Sequence, residues 1–112
     1  MLALDWFRRS AHRQNHQIVT TDQEVELGGT RLRVRRRVQC EGDGCPKPQL
    51  LTLKALSLVG PGEGVELVTD NPAAVETIPA MMHSVDGEHM ATTQDEQGHW
   101  RVYVRRVPGA EQ

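Results

Sequence analysis

Apolar and polar positions alternate or recur with a helical period along most of this chain. Val25 and Leu27 alternate with Glu24 and Glu26 up to Gly28-Gly29. Leu32, Val34 and Val38 then alternate with arginines. Residues 24–38 therefore predict a β-hairpin closed by a two-residue glycine turn. In that register Leu32, Val34 and Val38 point inward, and Arg31, Arg33 and Arg35 share the solvated face. From Pro48 to Val59 the period changes. Leu51, Ala55, Leu58 and Val59 recur at i, i+4, i+7 and i+8, which is one face of a helix. Gly60 stands at the C′ position of that helix, with Pro61 after it. Residues 64–69 alternate as a strand. Asp70-Asn71-Pro72 marks a turn and a helix start, and Ala74, Ile78, Met82 and Val85 carry a second helix that Pro79 kinks or breaks and Gly87 closes. Residues 88–93 read as a strand, Asp95-Glu96-Gln97-Gly98 as a hairpin turn, and Trp100, Val102 and Val104 as the last strand.

From residue 30 the order is β-α-β-α-β-β. It predicts an α/β (α+β) two-layer sandwich, with a mixed sheet and two helices on one face, enlarged by the N-terminal hairpin. Residues 1–23 read as a tail, 24–107 as a single domain with an extra N-terminal strand, and 108–112 as a C-terminal tail. Within the first of these, Trp6 and Phe7 beside Arg8, Arg9, His12 and Arg13 suit a short amphipathic helix or a frayed end. The chain has 112 residues, 38% of them hydrophobic and four aromatic, so its core is aliphatic. Wholesale disorder does not suit this composition.

The net charge of −2 hides an asymmetry, because residues 1–40 hold eight Arg against four acids and residues 41–112 hold five basic side chains against eleven acids. Five arginines fall between Arg31 and Arg37. They suit RNA phosphates or an acidic partner, or a strand face paired with Glu24 and Glu26. The acidic remainder and the lack of interleaved aromatic residues disfavour a nucleic-acid module. No apolar run is long enough to span a bilayer. Residues 1–9 place their apolar side chains before their arginines, the reverse of a secretory signal. The expectation is a cytoplasmic protein with reduced thiols and no membrane insertion.

Two cysteines remain. With Cys45 as N-cap and Pro46 as the first helical residue, Pro48 has no N–H to offer, so the Lys47 amide is the donor that can reach the sulfur. The helix dipole adds positive charge there, and the two effects favour thiolate, the nucleophilic form. Gly42 and Gly44 leave one side of the sulfur open. An accessible, activated cysteine without a neighbouring base suits thiol–persulfide exchange. A cysteine that merely caps a helix is the alternative. Cys40, five residues earlier, either resolves a persulfide or ends a strand and packs inward; the second reading is preferred. His83, His89 and His99 fit no metal-ligand spacing, and no metal is expected. His89 is read as a surface or internally bonded histidine rather than a neighbour of the sulfur. Met81, Met82 and Met90 are read as core rather than as a partner groove. Leu50, Leu53 and Leu56 fall outside the main stripe of the first helix, and together with Arg33 and Arg35 they are candidates for partner docking.

Cys45-Pro46-Lys47-Pro48 is similar to the Cys-Pro-x-Pro signature of the TusA/SirA-like sulfur carrier family. The resemblance continues through Leu50-Leu51-Thr52-Leu53-Lys54-Ala55-Leu56, Pro61-Gly62-Glu63, Asp70-Asn71-Pro72-Ala73, Thr77-Ile78-Pro79, Gly87-Glu88-His89 and the last strand, over roughly residues 36–107. It implies that Cys45 is the catalytic residue and carries a transient persulfide, with Gly44, Pro46, Lys47 and Pro48 shaping the loop and helix start, and with no cofactor. It also implies a cysteine desulfurase or rhodanese as sulfur donor and a downstream acceptor protein serving tRNA thiolation, cofactor assembly or sulfur oxidation. The protein would be a sulfurtransferase-type carrier rather than a stand-alone enzyme. The alternative within the same fold is a regulatory or adaptor domain that binds protein or RNA through its arginine strand. Glu41 and Asp43 stand where the family has apolar residues, and residues 1–30 lie outside its minimal domain.

Overall fold

The computed structural model describes residues 17–40 and 47–107, without the side chain of Lys47. Strand β1 (Ile18–Leu27) and strand β2 (Thr30–Cys40) form the hairpin. Helix α1 (Lys47–Ser57), β3 (Glu63–Thr69) and α2 (Pro72–Met81) follow, then a 3-10 turn (Met82–Ser84), β4 (Gly87–Gln94) and β5 (Trp100–Arg106). The sheet order is β1-β2-β3-β5-β4. Only the β2–β3 pair is parallel; the others are antiparallel, so the sheet is mixed and its two helices form the second layer. This is the β-α-β-α-β-β sandwich the pattern implied. The strand β1 begins earlier than residue 24, because Ile18 pairs with Val38 before the alternation becomes visible.

Local chemistry explains the turns. Gly28 and Gly29 both have positive φ (57° and 91°), as a two-residue hairpin on twisted strands requires. Asn71 caps α2, its side-chain oxygen accepting from the Ala73 N–H at 2.9 Å, and Pro72 takes the first helical position. The helix runs past Pro79 to Met81 and only then tightens into the 3-10 turn, so the break falls two residues after the proline. The helix α1 ends at Ser57, whose hydroxyl donates to the Lys54 carbonyl at 2.6 Å. Gly60 is not its left-handed cap, since its φ is not positive. Its N–H donates to the Glu63 carboxylate at 2.7 Å, and Gly62 (φ 84°) makes the turn.

The largest departure from simple alternation is in β2. Val34 pairs with Gly64 but Arg36 pairs with Val65, so Arg35 is an extra residue in the ladder, a β-bulge. Beyond it Val38 and Cys40 face the helices, packed with Leu51, Ala55, Val59, Val65, Leu67, Ile78, Val102 and Val104. Before it Leu32 and Val34 turn to the opposite face, where they gather with Tyr103, Val25, Leu27 and Met90. The inward set Leu32, Val34 and Val38 is thus divided between two cores. A matching irregularity in β1 between Thr20 and Gln23 keeps the hairpin paired through the bend. Leu32 lands on Gly64, where a Cβ would stand 2.6 Å from it, so the close approach requires glycine there.

Candidate functional site

Because β2 and β3 are parallel and each is followed by a helix, the carboxyl ends of both strands and the amino ends of both helices lie at one edge of the sheet. Cys40 and Thr69 end the two strands as register partners, and both are fully buried. The Thr69 hydroxyl accepts from the Asn71 N–H at 3.1 Å, which ties the start of α2 to β3. Trp100 pairs with Thr69 and with Gln94 and extends the same edge.

Residues 41–46 join Cys40 to Lys47 at this edge. Gly44, Cys45 and Pro46, with Glu41 and Asp43, lie outside the described residues, and so does the N-cap geometry expected of Cys45. What is described is the frame that holds them. The helix α1 opens at Lys47, two residues after Cys45, and has no acidic residue in its first turn. Nothing in that turn offsets the positive end of the helix dipole. Pro48 is fully buried and fixes the first turn against the layer below, and Gln49 beside it is 5% exposed. Cys40 is fully buried and packs in the helix-side core.

The other candidates separate. Leu50 is 61% exposed, one turn into α1. Leu53 is half-buried and packs on the helix-side core. With Leu56, Ser57, Val85, Asp86 and Arg106 it lines a cleft of about 190 Å³ at the opposite edge. A second cleft of about 340 Å³, lined by Pro79, Met82, His83, Gly87, Glu88 and His89, is at that far edge too. His89 is bonded to the Thr92 hydroxyl at 2.7 Å, and burial pushes its pKa down. Met82 is core, Met81 packs against it, and Met90 belongs to the cluster under the hairpin. Among the described residues no three His, Cys, Asp or Glu side chains gather as metal ligands, and no helix is long and apolar enough to cross a membrane.

The arginines are matched within the chain. Arg33 makes a two-pronged contact with Asp22, 2.9 Å for each nitrogen, and this holds Asp22 below the usual carboxylate range. Arg31 lies 3.9 Å from Glu24 and Arg35 3.4 Å from Glu63. The pattern pointed to Glu24 and Glu26 as partners; Asp22 and Glu63 were not foreseen, since the two bulges shift who meets whom. Glu66 was missed altogether. It is 1% exposed on the face away from the helices, accepting from Arg37 Nε at 2.6 Å and from the Tyr103 hydroxyl at 2.8 Å, with Arg101 at 3.5 Å. Burial first and the neighbouring carboxylate second raise the Tyr103 pKa to about 12.

A family model described as Sulfurtransferase TusA matches residues 36–106, and the chain belongs to that family. The match begins one residue after the Arg35 bulge, so β1 and the first part of β2 precede it. The chain is 27% identical over 75 residues to a provisionally named sulfur carrier protein of Thermotoga maritima, covering 67% of this chain and 95% of that protein. It is 32% identical over 72 residues to one from Archaeoglobus fulgidus, covering 64% and 94%. A second protein of that organism, named in the same way, is 27% identical over 70 residues, covering 62% and 94%.

Proposed function

We propose that this protein is a sulfur carrier whose Cys45 holds the transferred sulfur as a persulfide. Membership of the TusA family and the carrier names of its relatives support the carrier role. The observation that carries the choice of Cys45 is its position, between the carboxyl end of β2 and the amino end of α1, two residues before a first turn without acids. In the proposed step the Cys45 thiolate attacks the terminal sulfur of a donor persulfide. A Cys45–sulfur bond forms, the donor S–S bond breaks, and the donor thiolate leaves with the electron pair. An acceptor thiolate then takes the same sulfur by the same exchange and releases Cys45. No cofactor and no net oxidation are involved.

The donor in this reading is a cysteine desulfurase or a rhodanese, and the acceptor is a protein of tRNA thiolation, cofactor assembly or sulfur oxidation. Leu50, exposed one turn from the start of α1, is the proposed docking contact, with Leu53 behind it. The adaptor and RNA readings rest on the arginine strand, whose Arg31, Arg33, Arg35 and Arg37 each face a carboxylate of this chain. That matching leaves little net charge for a phosphate backbone, and no second reading is adopted. The test is to incubate the protein with a desulfurase and cysteine, or with a rhodanese and thiosulfate, and to take intact masses. Wild type gains the mass of one or more sulfur atoms, and Cys45→Ser gains none. An adduct retained in Cys45→Ser, or none on wild type with either donor, overturns the assignment.

A further inference from the structure

The charges on the sheet are paired unevenly. Arg33 has Asp22, Arg35 has Glu63 and Arg105 has Glu88, one carboxylate for each guanidinium. Arg37 and Arg101 share one. Both approach the same oxygen of Glu66, Oε1, Arg37 through Nε at 2.6 Å and Arg101 through Nη1 at 3.5 Å. The other oxygen, Oε2, accepts from the Tyr103 hydroxyl at 2.8 Å. Two contacts to one atom keep these guanidinium nitrogens within about 6 Å of each other, a separation at which like charges repel. The Glu66 carboxylate is buried and offsets one of the two, so the group carries a surplus of one positive charge.

That surplus reaches water, since the Arg37 and Arg101 side chains are 30% and 39% exposed. It also has donors to spare. Arg37 uses Nε for Glu66 and Nη2 for the Gln23 side-chain oxygen at 3.0 Å, and its Nη1 makes no hydrogen bond to a described residue. The Arg101 side chain makes none among the described residues; its contact with Glu66 is ionic and longer. The register supplies no second acid, because Arg37 stands opposite Val19 and Glu66, and Arg101 opposite Val68 and Thr93. A single surplus charge suits a single carboxylate. A nucleic-acid backbone instead requires a row of unmatched cations. Here Arg33, Arg35 and Arg105 already hold acids of their own, and those acids would repel a chain of phosphates.

We propose that Arg37 and Arg101, drawn together by Glu66, form a docking point for an Asp or Glu side chain of a partner protein. This contact is independent of the chemistry at Cys45. The full-length, isotope-labelled protein is titrated with N-acetylglutamate α-amide, which carries one carboxylate, while NMR follows the arginine Nε–Hε signals. The Arg37 and Arg101 signals shift together and saturably, and chloride at the same ionic strength does not reproduce the shift. Arg101→Gln weakens the binding read at Arg37 by about fivefold, the worth of one partly exposed ion pair. Arg101→Lys keeps the charge but loses the planar fork, and its affinity falls between the two. Arg31→Gln, at the hairpin end of β2, leaves the affinity unchanged. Dimethyl phosphate, standing for a nucleic-acid backbone, binds more weakly than the carboxylate. Equal shifts with chloride overturn the proposal, and that comparison needs only wild type, so it holds even if Arg101→Gln does not fold. An equal loss in Arg31→Gln and Arg101→Gln overturns it as well, and so does tighter binding of dimethyl phosphate.

Discussion

Glu66→Ala is the substitution that most directly probes the face turned away from the helices. The carboxylate is 1% exposed and serves Arg37 Nε, the Tyr103 hydroxyl and, more distantly, Arg101. Its removal strands the Tyr103 hydroxyl, on a side chain 6% exposed, and leaves two cations without their anion. Breaking a fully buried pair costs about 3–5 kcal/mol. The Arg37 and Arg101 side chains are 30% and 39% exposed, so water takes over part of their solvation and the lower end applies, about 3 kcal/mol. Glu66→Gln keeps the shape and one acceptor and loses about 1–2 kcal/mol, and Tyr103→Phe about 1 kcal/mol. Urea unfolding followed by tryptophan fluorescence gives the three values. Arg37→Ala on the Glu66→Ala background costs less than on wild type, because the pair is already broken. A loss under about 1 kcal/mol for Glu66→Ala, or strict additivity with Arg37→Ala, refutes the idea that this carboxylate organises the face.

Three further outcomes follow from the same contacts. The chain has a single tyrosine, so phenolate absorbance should show a native midpoint near 12, returning to about 10 in urea. The folded pKa is the higher one, so this group's stabilisation is complete below pH 10 and is lost as pH rises from about 10 to about 12; a native midpoint at 10 contradicts the buried hydrogen bond. Native alkylation should modify Cys45 while Cys40, fully buried in the core, reacts only on unfolding; comparable rates for the two would undo the distinction between them. Gly64→Ala should destabilise by about 1–3 kcal/mol through overpacking against Leu32. Leu32→Ala should erase most of that penalty in the double variant, and an unchanged penalty would place the strain elsewhere.

The glycine pair at 28–29, the helix start at Asp70-Asn71-Pro72 and the order of elements along the chain were legible because each depends on neighbours in sequence. The proposal for Cys45 draws on four consecutive residues, Cys45-Pro46-Lys47-Pro48. The bulge was not legible. In Arg35-Arg36-Arg37 an inserted residue has the same character as those beside it, so the alternation gives no sign of the slip. Glu66 was hidden for a different reason. Within Gly64-Val65-Glu66-Leu67-Val68 it reads as the solvated half of a strand, and its partners Arg37 and Tyr103 come from 29 and 37 residues away. Gly60 was read as the C′ glycine of α1, but its N–H donates to the Glu63 side chain and the left-handed residue is Gly62, a distinction that a side-chain contact makes and local spacing does not.

The bulge at Arg35 makes β2 a shared structural member. Its second half is the edge strand of the family domain, covered by β1, and its first half is the return arm of the hairpin that precedes the family match. The extension is therefore not an appendage on a hinge. Without the extra residue, strict alternation would put Leu32, Val34, Val38 and Cys40 on one face; with Arg35 inserted, Leu32 and Val34 join Tyr103 on one side while Val38 and Cys40 face the helices on the other. One inserted residue thus lets a single strand supply apolar side chains to both faces of the sheet, lining the side away from the helices with its first half and the helix side with its second.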